Sequence, residues 1–419
     1  MKRLLRYVSF SLLLLFSGLL AAGDILLFFS TQFAPVDEAR RVREEVLSGY
    51  GRPVDFQPFE ERETFFSLVK GSSKAGLLGG LHGDMVSLAK ENQLQPVDDL
   101  ADGLDMVDAY IELGKLGTSH QYYIPWIQAT YLMAANRRAL EYLPQGADIN
   151  ALTYDQLKLW AENMRRASGE PKLGLPAGPK GLLHRLLQGY LYPSFTGGMV
   201  RSFKSDEAVA MWQYLRALWE SVNPRSLSFD SMHEPLLSEE VWVAWDHTAR
   251  LMPAVEKRPD DFVVFPVPAG PKGRGFMVVL GGLAIPGKAP DHEASRGLAR
   301  YLASPEGQLA MLQNTGFFPV LKDTGSGALS PSVEMFKQAV TRQSAAPDAL
   351  SALLPVGLGQ YGGDFSTVYK LAFSRIILRN KKIETVLKQQ GRKLARLMEV
   401  AAAPCWSPDK ASEGPCPVE

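Results

Sequence analysis

The side chains suited to chemistry are scattered along these 419 residues, and their spacing excludes more than it supports. His82 and Asp84 stand together in LHGDM, but two residues are too few for a metal site. None of the six histidines has a second histidine at helical metal spacing. There is no GxSxG elbow, Walker loop, HExxH or CxxC. A glycosidase carboxyl pair would leave no local signature, because its members need not be neighbours in sequence. What recurs is aromatic residues beside loop residues. Tyr122, Tyr123, Trp126 and Tyr131 fall in QYYIPWIQATYLMAAN. Tyr190, Tyr192 and Phe195 precede TGG. Trp242, Trp245 and Asp246 lie in EEVWVAWDH, and Tyr361 lies in GQYGGDF. Rings cover flat C–H faces, while carboxylates and amides bind a rim of hydroxyls, so the combination suits a sugar-like ligand. A tryptophan in a strand pattern suits core packing equally well. Tyr361, among glycines, suits exposure.

These residues need elements to position them. DILLFFS reads as a buried first strand, VDEARRVREEVLSGYG as a helix ending on Gly51, and VDFQPF as a second strand. FFSLVKGSSKAGLLGG reads as a helix running into a flexible loop, and GDMVSLA as a third strand. This rhythm predicts a parallel sheet covered by helices on both faces. From Asn136 to about Trp245 helical periodicity dominates. Thr153 and Ser205 are placed to cap TYDQLKLWAENMRRA and SDEAVAMWQYLRALWESV, and GLLHRLLQGYL is a third helix. Strand character returns in DFVVFPV and GFMVVLGGLAIP. A helix broken at Pro305 follows, then FSTVYKLAFSRIILRN. In the last helix Ile383, Leu387, Leu394 and Met398 share one face. The sheet signal that fades and reappears predicts two α/β lobes, with the chain crossing between them more than once and a cleft at the crossings.

Composition narrows the function classes. Lys+Arg and Asp+Glu both number 45, so the formal net charge is zero and a nucleic-acid partner is not expected. Lys2, Arg3 and Arg6 precede an apolar run from Val8 to about Leu20, then Ala21, Ala22 and Gly23. This is the pattern of a signal peptide over residues 1–23, cleaved near Ala22/Gly23. Asp24 follows where a lipid anchor would need cysteine, so a soluble periplasmic protein is expected. The only cysteines, Cys405 and Cys416, bracket CWSPDKASEGPC. In an oxidising compartment such a pair is most simply a disulfide closing the tail 402–419, and no histidine lies nearby to make it a metal site.

Several segments together resemble the extracellular solute-binding proteins of ABC importers, in the sugar-binding, maltose-binding-protein-like group. HGDMVSLAKENQLQPVDDL, YYIPWIQATYLMAANRRALE and LTYDQLKLWAENMR are similar to successive blocks of that family. So are DDFVVFPVPAGPKGRGFMVVLGGLAIP and ASRGLARYLASPEGQLAMLQNTGFFPV. The resemblance implies an α/β fold of two lobes joined by hinge strands. Residues 24–127 and 283–318 would form one lobe, and 128–282 and 319–419 the other. It implies a monomer that captures a sugar by lobe closure and delivers it to the transmembrane subunits of a permease, with no catalysis, cofactor or metal. The ligand positions it implies are Thr31 and Gln32 after the first strand, and His82 and Asp84 in a loop before the third. Tyr123 and Trp126 follow at the hinge, then Trp245 and Asp246, and Gly281 and Gly282 where backbone would approach the sugar. Phe317 stands where tyrosine is usual, Tyr361 and Arg375 come late, and His82 either tunes ligand choice or fills its loop. Rival readings are a glycerol phosphoester, another organic phosphate or a polyamine on the same scaffold, a secreted glycosidase, or a structural secreted protein.

Overall fold

The computed structural model describes residues 25–71, 74–106, 108–322 and 329–419. The expected signal peptide lies outside them. The fold is α/β, with two sheets flanked by helices. Strands β1 (Leu26–Ser30), β2 (Val54–Pro58), β3 (Ala75–Leu81), β4 (Ile124–Ala129), β9 (Arg274–Ala284) and β10 (Ala349–Leu353) build the first sheet. Its order is β10-β9-β3-β1-β2, and β4 also pairs with β9. Strands β5 (Tyr131–Asn136), β6 (Leu173–Gly174), β7 (Val243–His247) and β8 (Phe262–Phe265) build the second, in the order β6-β7-β5-β8. β1 runs parallel to β2 and β3, as expected. β9 runs antiparallel to β3 and β4, and β5 antiparallel to β7 and β8, so both sheets are mixed rather than parallel.

One expectation is reversed. The glycine-rich AGLLGG, read as a flexible loop, is most of β3, and GDMVSLA, read as the third strand, lies in the helix His82–Lys90. The glycines are there for packing. A side chain at Gly76 would come within 2.2 Å of Leu26, and one at Gly79 within 3.1 Å of both Phe28 and Trp126. A strand covered on both faces in this way shows neither alternation nor bulk, and so no strand signal. Asp84 falls at the third position of the helix, and its carboxylate accepts the backbone N–H of Leu81 at 3.0 Å. His82 and Asp84 therefore sit in the first helical turn after β3, not in a loop before it.

The remaining helices follow their local signals. Thr153 and Gln156 form a reciprocal capping box on the helix Tyr154–Ser168, and Ser205 Oγ accepts the Ala208 N–H at 3.2 Å. Pro305 is the first residue of Pro305–Thr315, separated from His292–Ala303 by the capping Ser304. Ile383, Leu387, Leu394 and Met398 are all buried along Ile383–Ala401. Cys405 and Cys416 are disulfide-bonded, with Cα atoms 4.5 Å apart. The tail they close is tied into the body. Ser407 O accepts the Leu353 N–H at 3.0 Å, and the Asp409 carboxylate accepts the N–H groups of Met199, Val200 and Arg201 at 2.7–2.9 Å.

Candidate functional site

The segment QYYIPWIQATYLMAAN passes from one sheet to the other. β4 ends at Ala129, Thr130 turns the chain, and β5 begins at Tyr131. Thr130 is fixed there by its hydroxyl, which donates to Met277 O at 2.8 Å. The aromatic residues along and beside this crossing pack on one another. Trp126 meets Phe28 and Phe33, each with ring centroids 5.6 Å away. Phe33 meets Phe317 at 4.9 Å, Phe317 meets His247 at 5.9 Å, and His247 meets Tyr131 at 5.1 Å. Tyr131 stacks on Trp245 at 4.9 Å. A continuous file of rings thus joins the core of the first sheet to that of the second. Phe33 holds a φ of 62°, a left-handed conformation unusual for a bulky side chain, and its two ring contacts offset the strain.

This packing places most of the residues singled out from sequence inside the protein. Tyr123, Trp126 and Trp245 are fully buried or nearly so, and Phe317 is 8% exposed. Gly281 and Gly282 leave room for side chains of this chain itself. A Cβ on Gly282 would stand 2.1 Å from the Tyr123 ring, and one on Gly281 2.8 Å from Ile127. Asp246 is fully buried and accepts the N–H groups of Met232 at 2.9 Å and His247 at 2.7 Å. Burial pushes its pKa up to about 7. His82 is bonded through Nδ1 to the Tyr123 hydroxyl at 2.8 Å, and burial lowers its pKa to about 4. Arg375, half-buried, donates to Gln389 Oε1 at 3.0 Å and is not among the residues lining the cleft described below. Tyr361, half-buried, precedes the helix Gly362–Phe373.

A polar cleft of about 270 Å³ remains open. Arg62, Gly83 and Asp84 form one wall. Arg185 and the stretch Leu354–Gly363 form the other. The walls come close where Gly83 faces Pro355 O, 3.1 Å from where a Cβ would be. Thr31 and Asp84 meet here: the Thr31 hydroxyl donates to Asp84 Oδ2 at 2.8 Å, and Gln32 lies beside Thr31, its amide donating to Thr31 O at 2.9 Å. Arg62 donates to the other carboxylate oxygen, Oδ1. Its side chain is 48% exposed while Asp84 is 0% exposed. Asp84 therefore works as an anchor that aims Arg62 into the cleft. Beyond Arg62 and the glycines of the far wall lies a depression of about 730 Å³ also lined by Glu63, Phe66, Lys70 and Glu91.

A family model for bacterial extracellular solute-binding proteins matches residues 69–309, more than half of the chain. The chain belongs to that family. No curated protein matches it by sequence. Among solved structures, the solute-binding fold is shared with maltose-bound MalE3 of T. maritima, at 17% identity and a TM-score of 0.71. That match covers 89% of this chain and 99% of MalE3. The GacH receptor of Streptomyces glaucescens, solved unliganded and with acarbose, matches at 17% identity and 0.69, covering 89% and 98%. UgpB of Mycobacterium tuberculosis, in complex with glycerophosphocholine, matches at 16% identity and 0.71, covering 90% and 98%. Solute-binding proteins of this family act outside the cytoplasm and are not enzymes. No helix among the described residues is long and apolar enough to cross a membrane.

Sequence reasoning missed two residues of this cleft, Arg62 and Arg185. Arg62 opens a helix in the charged run EERE, where nothing sets it apart. Arg185 carried a usable signal: it interrupts the apolar run LLHRLLQGYLY, where a charge needs a reason. The glycines at 357, 359, 362 and 363 carried only a turn signal.

Proposed function

We propose that this chain is the substrate-binding component of an ABC importer. It is exported through a cleaved signal peptide to the periplasm and acts as a monomer. It captures a sugar-sized, hydroxyl-rich solute, a mono- to oligosaccharide or glycosylated polyol, between its lobes and delivers it to a membrane permease. The observation that carries this reading is the polar cleft whose two walls come from distant parts of the chain, Arg62 to Asp84 on one side and Arg185 with Leu354–Gly363 on the other. A solute touching both walls favours the closed arrangement by contacts that an open one lacks. Of the lobe boundaries proposed, 24–127 with 283–318 and 128–282 with 319–419, the one near residue 128 is supported by the passage from β4 to β5 at Thr130, while β10, assigned to the second lobe, pairs with β9 of the first sheet. The indole N–H groups of Trp126 and Trp245 are buried without a protein acceptor. Those unmet donors favour a ligand role for the two residues, although the rings themselves are packed on one another.

The test is calorimetry and thermal shift of the full chain, stripped of any carried-over solute. The panel spans neutral mono- and oligosaccharides, sugar phosphates and glycerophosphodiesters. Stoichiometric binding without turnover is expected. Hydrolysis of a panel member, or no thermal shift with any of them, would overturn the reading. One specific observation, two arginines in a cleft lined by no aromatic residue, favours the phosphoester group of that panel.

A further inference from the structure

Charge in the cleft is unbalanced. The Asp84 carboxylate is fully engaged: Oδ2 takes the Thr31 hydroxyl and the Leu81 N–H, and Oδ1 takes Arg62. One carboxylate thus balances one arginine. Arg185, half-buried in the opposite wall, bonds only the neutral amide oxygen of Gln188, at 3.1 Å. Among the described residues no acidic side chain forms an ion pair with it. Burial disfavours its charged form, and the like charge of Arg62 across the cleft adds a smaller effect in the same direction. Two guanidinium groups therefore face one cleft from opposite walls with a single carboxylate between them, and an anion placed there would offset their repulsion.

The backbone adds to the same field. The helix Gly362–Phe373 begins at the cleft with no side chain capping it, and Gly362 and Gly363 open its first turn against the cavity. Arg62 Nη1 lies 3.9 Å from where a Cβ on Gly362 would stand, so the guanidinium and the helix start line one space. The Gly362 N–H is taken by Gly359 O and Asp364 stands in the first turn, so the helix start adds only its dipole to this field. No aromatic ring lines the cleft between the two arginines, since the rings of the crossing are packed on one another; Phe66 lines only the adjoining depression.

We infer that the solute carries an oxyanion, as a phosphate ester of a small polyol or sugar, held between Arg62 of one wall and Arg185 of the other. This rests on the solute-receptor reading above and narrows its ligand class. Planar guanidinium forks suit phosphate oxygens. A cavity of about 270 Å³ holds the phosphoryl end and a small polyol, and the adjoining 730 Å³ depression gives the organic part room to extend. An anion bridging the two arginines also rewards closure, because it replaces a repulsion across the cleft with two attractions.

The test uses matched ligands on the full chain: glycerol 3-phosphate against glycerol, glucose 6-phosphate against glucose, glycerophosphocholine against maltose, and inorganic phosphate and sulfate alone. At least one anionic member should bind about tenfold or more tighter than its neutral partner, and its affinity should fall as salt rises. Arg185→Gln should weaken that ligand by about tenfold or more with the unfolding midpoint kept, and Arg185→Lys should recover part of the loss. Arg166→Gln, exposed on the helix Tyr154–Ser168, should change nothing. Neutral sugars binding as tightly as their phosphates, with Arg185→Gln without effect, would overturn the anion and leave the receptor intact. Inorganic phosphate binding as tightly as every ester would overturn the ester. Silence across the whole panel would remove the receptor reading itself.

Discussion

Gly282→Ala separates two accounts of the paired glycines on β9. If glycine stands at 282 so that a solute can approach the backbone, the added methyl blocks solute and leaves the fold alone. The structure gives the space to Tyr123 instead. The new Cβ would stand 2.1 Å from Cδ2, 2.7 Å from Cε2 and 2.9 Å from Cγ of that ring, where ordinary contact begins at 3.4 Å. Something must retreat by roughly 1.3 Å on those distances. The backbone resists, because Gly282 pairs with Gly80 on one side and Pro125 on the other. The ring resists too: it is fully buried, and its hydroxyl is bonded to His82. Overpacking of this kind costs about 1–3 kcal/mol, and the double restraint puts this site at the upper end. Urea unfolding of wild type, Gly282→Ala, Tyr123→Leu and the double variant should show the glycine change costing about 3 kcal/mol alone and under about 0.5 kcal/mol once the ring is gone. Solute affinity would fall only through displacement of His82, whose helix carries Asp84 and so aims Arg62. A stability unchanged by Gly282→Ala, or additive effects around the cycle, would refute the packing account and return the glycine to the solute.

Burial lowers the His82 pKa to about 4, against an unfolded value near 6.5. Its contribution to stability is present above about pH 6.5 and is lost as the pH falls toward 4, by roughly 3 kcal/mol in total. His82→Gln should lack that component, so parallel pH–stability curves for the two proteins would contradict the assignment. The same shift keeps His82 neutral between about pH 5.5 and 8, so solute affinity should show no His82 step there. Replacing both Cys405 and Cys416 by Ser should cost roughly 3 kcal/mol or less from loop entropy. It should also raise hydrogen exchange at Leu353 and at Met199–Arg201, the amides the tail holds. Unchanged exchange at those amides would mean that the tail docks without its disulfide.

Much of the architecture was legible without coordinates, because it is written in local physics. Thr153 and Ser205 mark helix starts by the hydrogen bonds they make, and Pro305 marks a break by the one it cannot make; the structure caps both helices as expected and begins a new helix at Pro305. The ordered segments from HGDMVSLA to TGFFPV carry the family, and the cysteine pair carries the tail. β3 was not legible, because a strand of small residues covered on both faces has no periodicity to read. The binding role of individual rings was not legible either. A sequence shows that Tyr123 and Trp126 belong to a crossing, but only the fold says what occupies the space beside them. Here the chain fills that space itself, with Phe33, Phe317 and the gap at Gly282. The open cleft joins Arg62, Arg185 and Gly362, which are far apart along the chain. Their meeting depends on how two sheets are set against each other, which no local propensity encodes. The sequence by itself determined most of the elements, the helix caps at Thr153 and Ser205, and the family. The tertiary structure decided which charges face one another across the cleft, Arg62 paired with Asp84 and Arg185 bonded to the neutral Gln188.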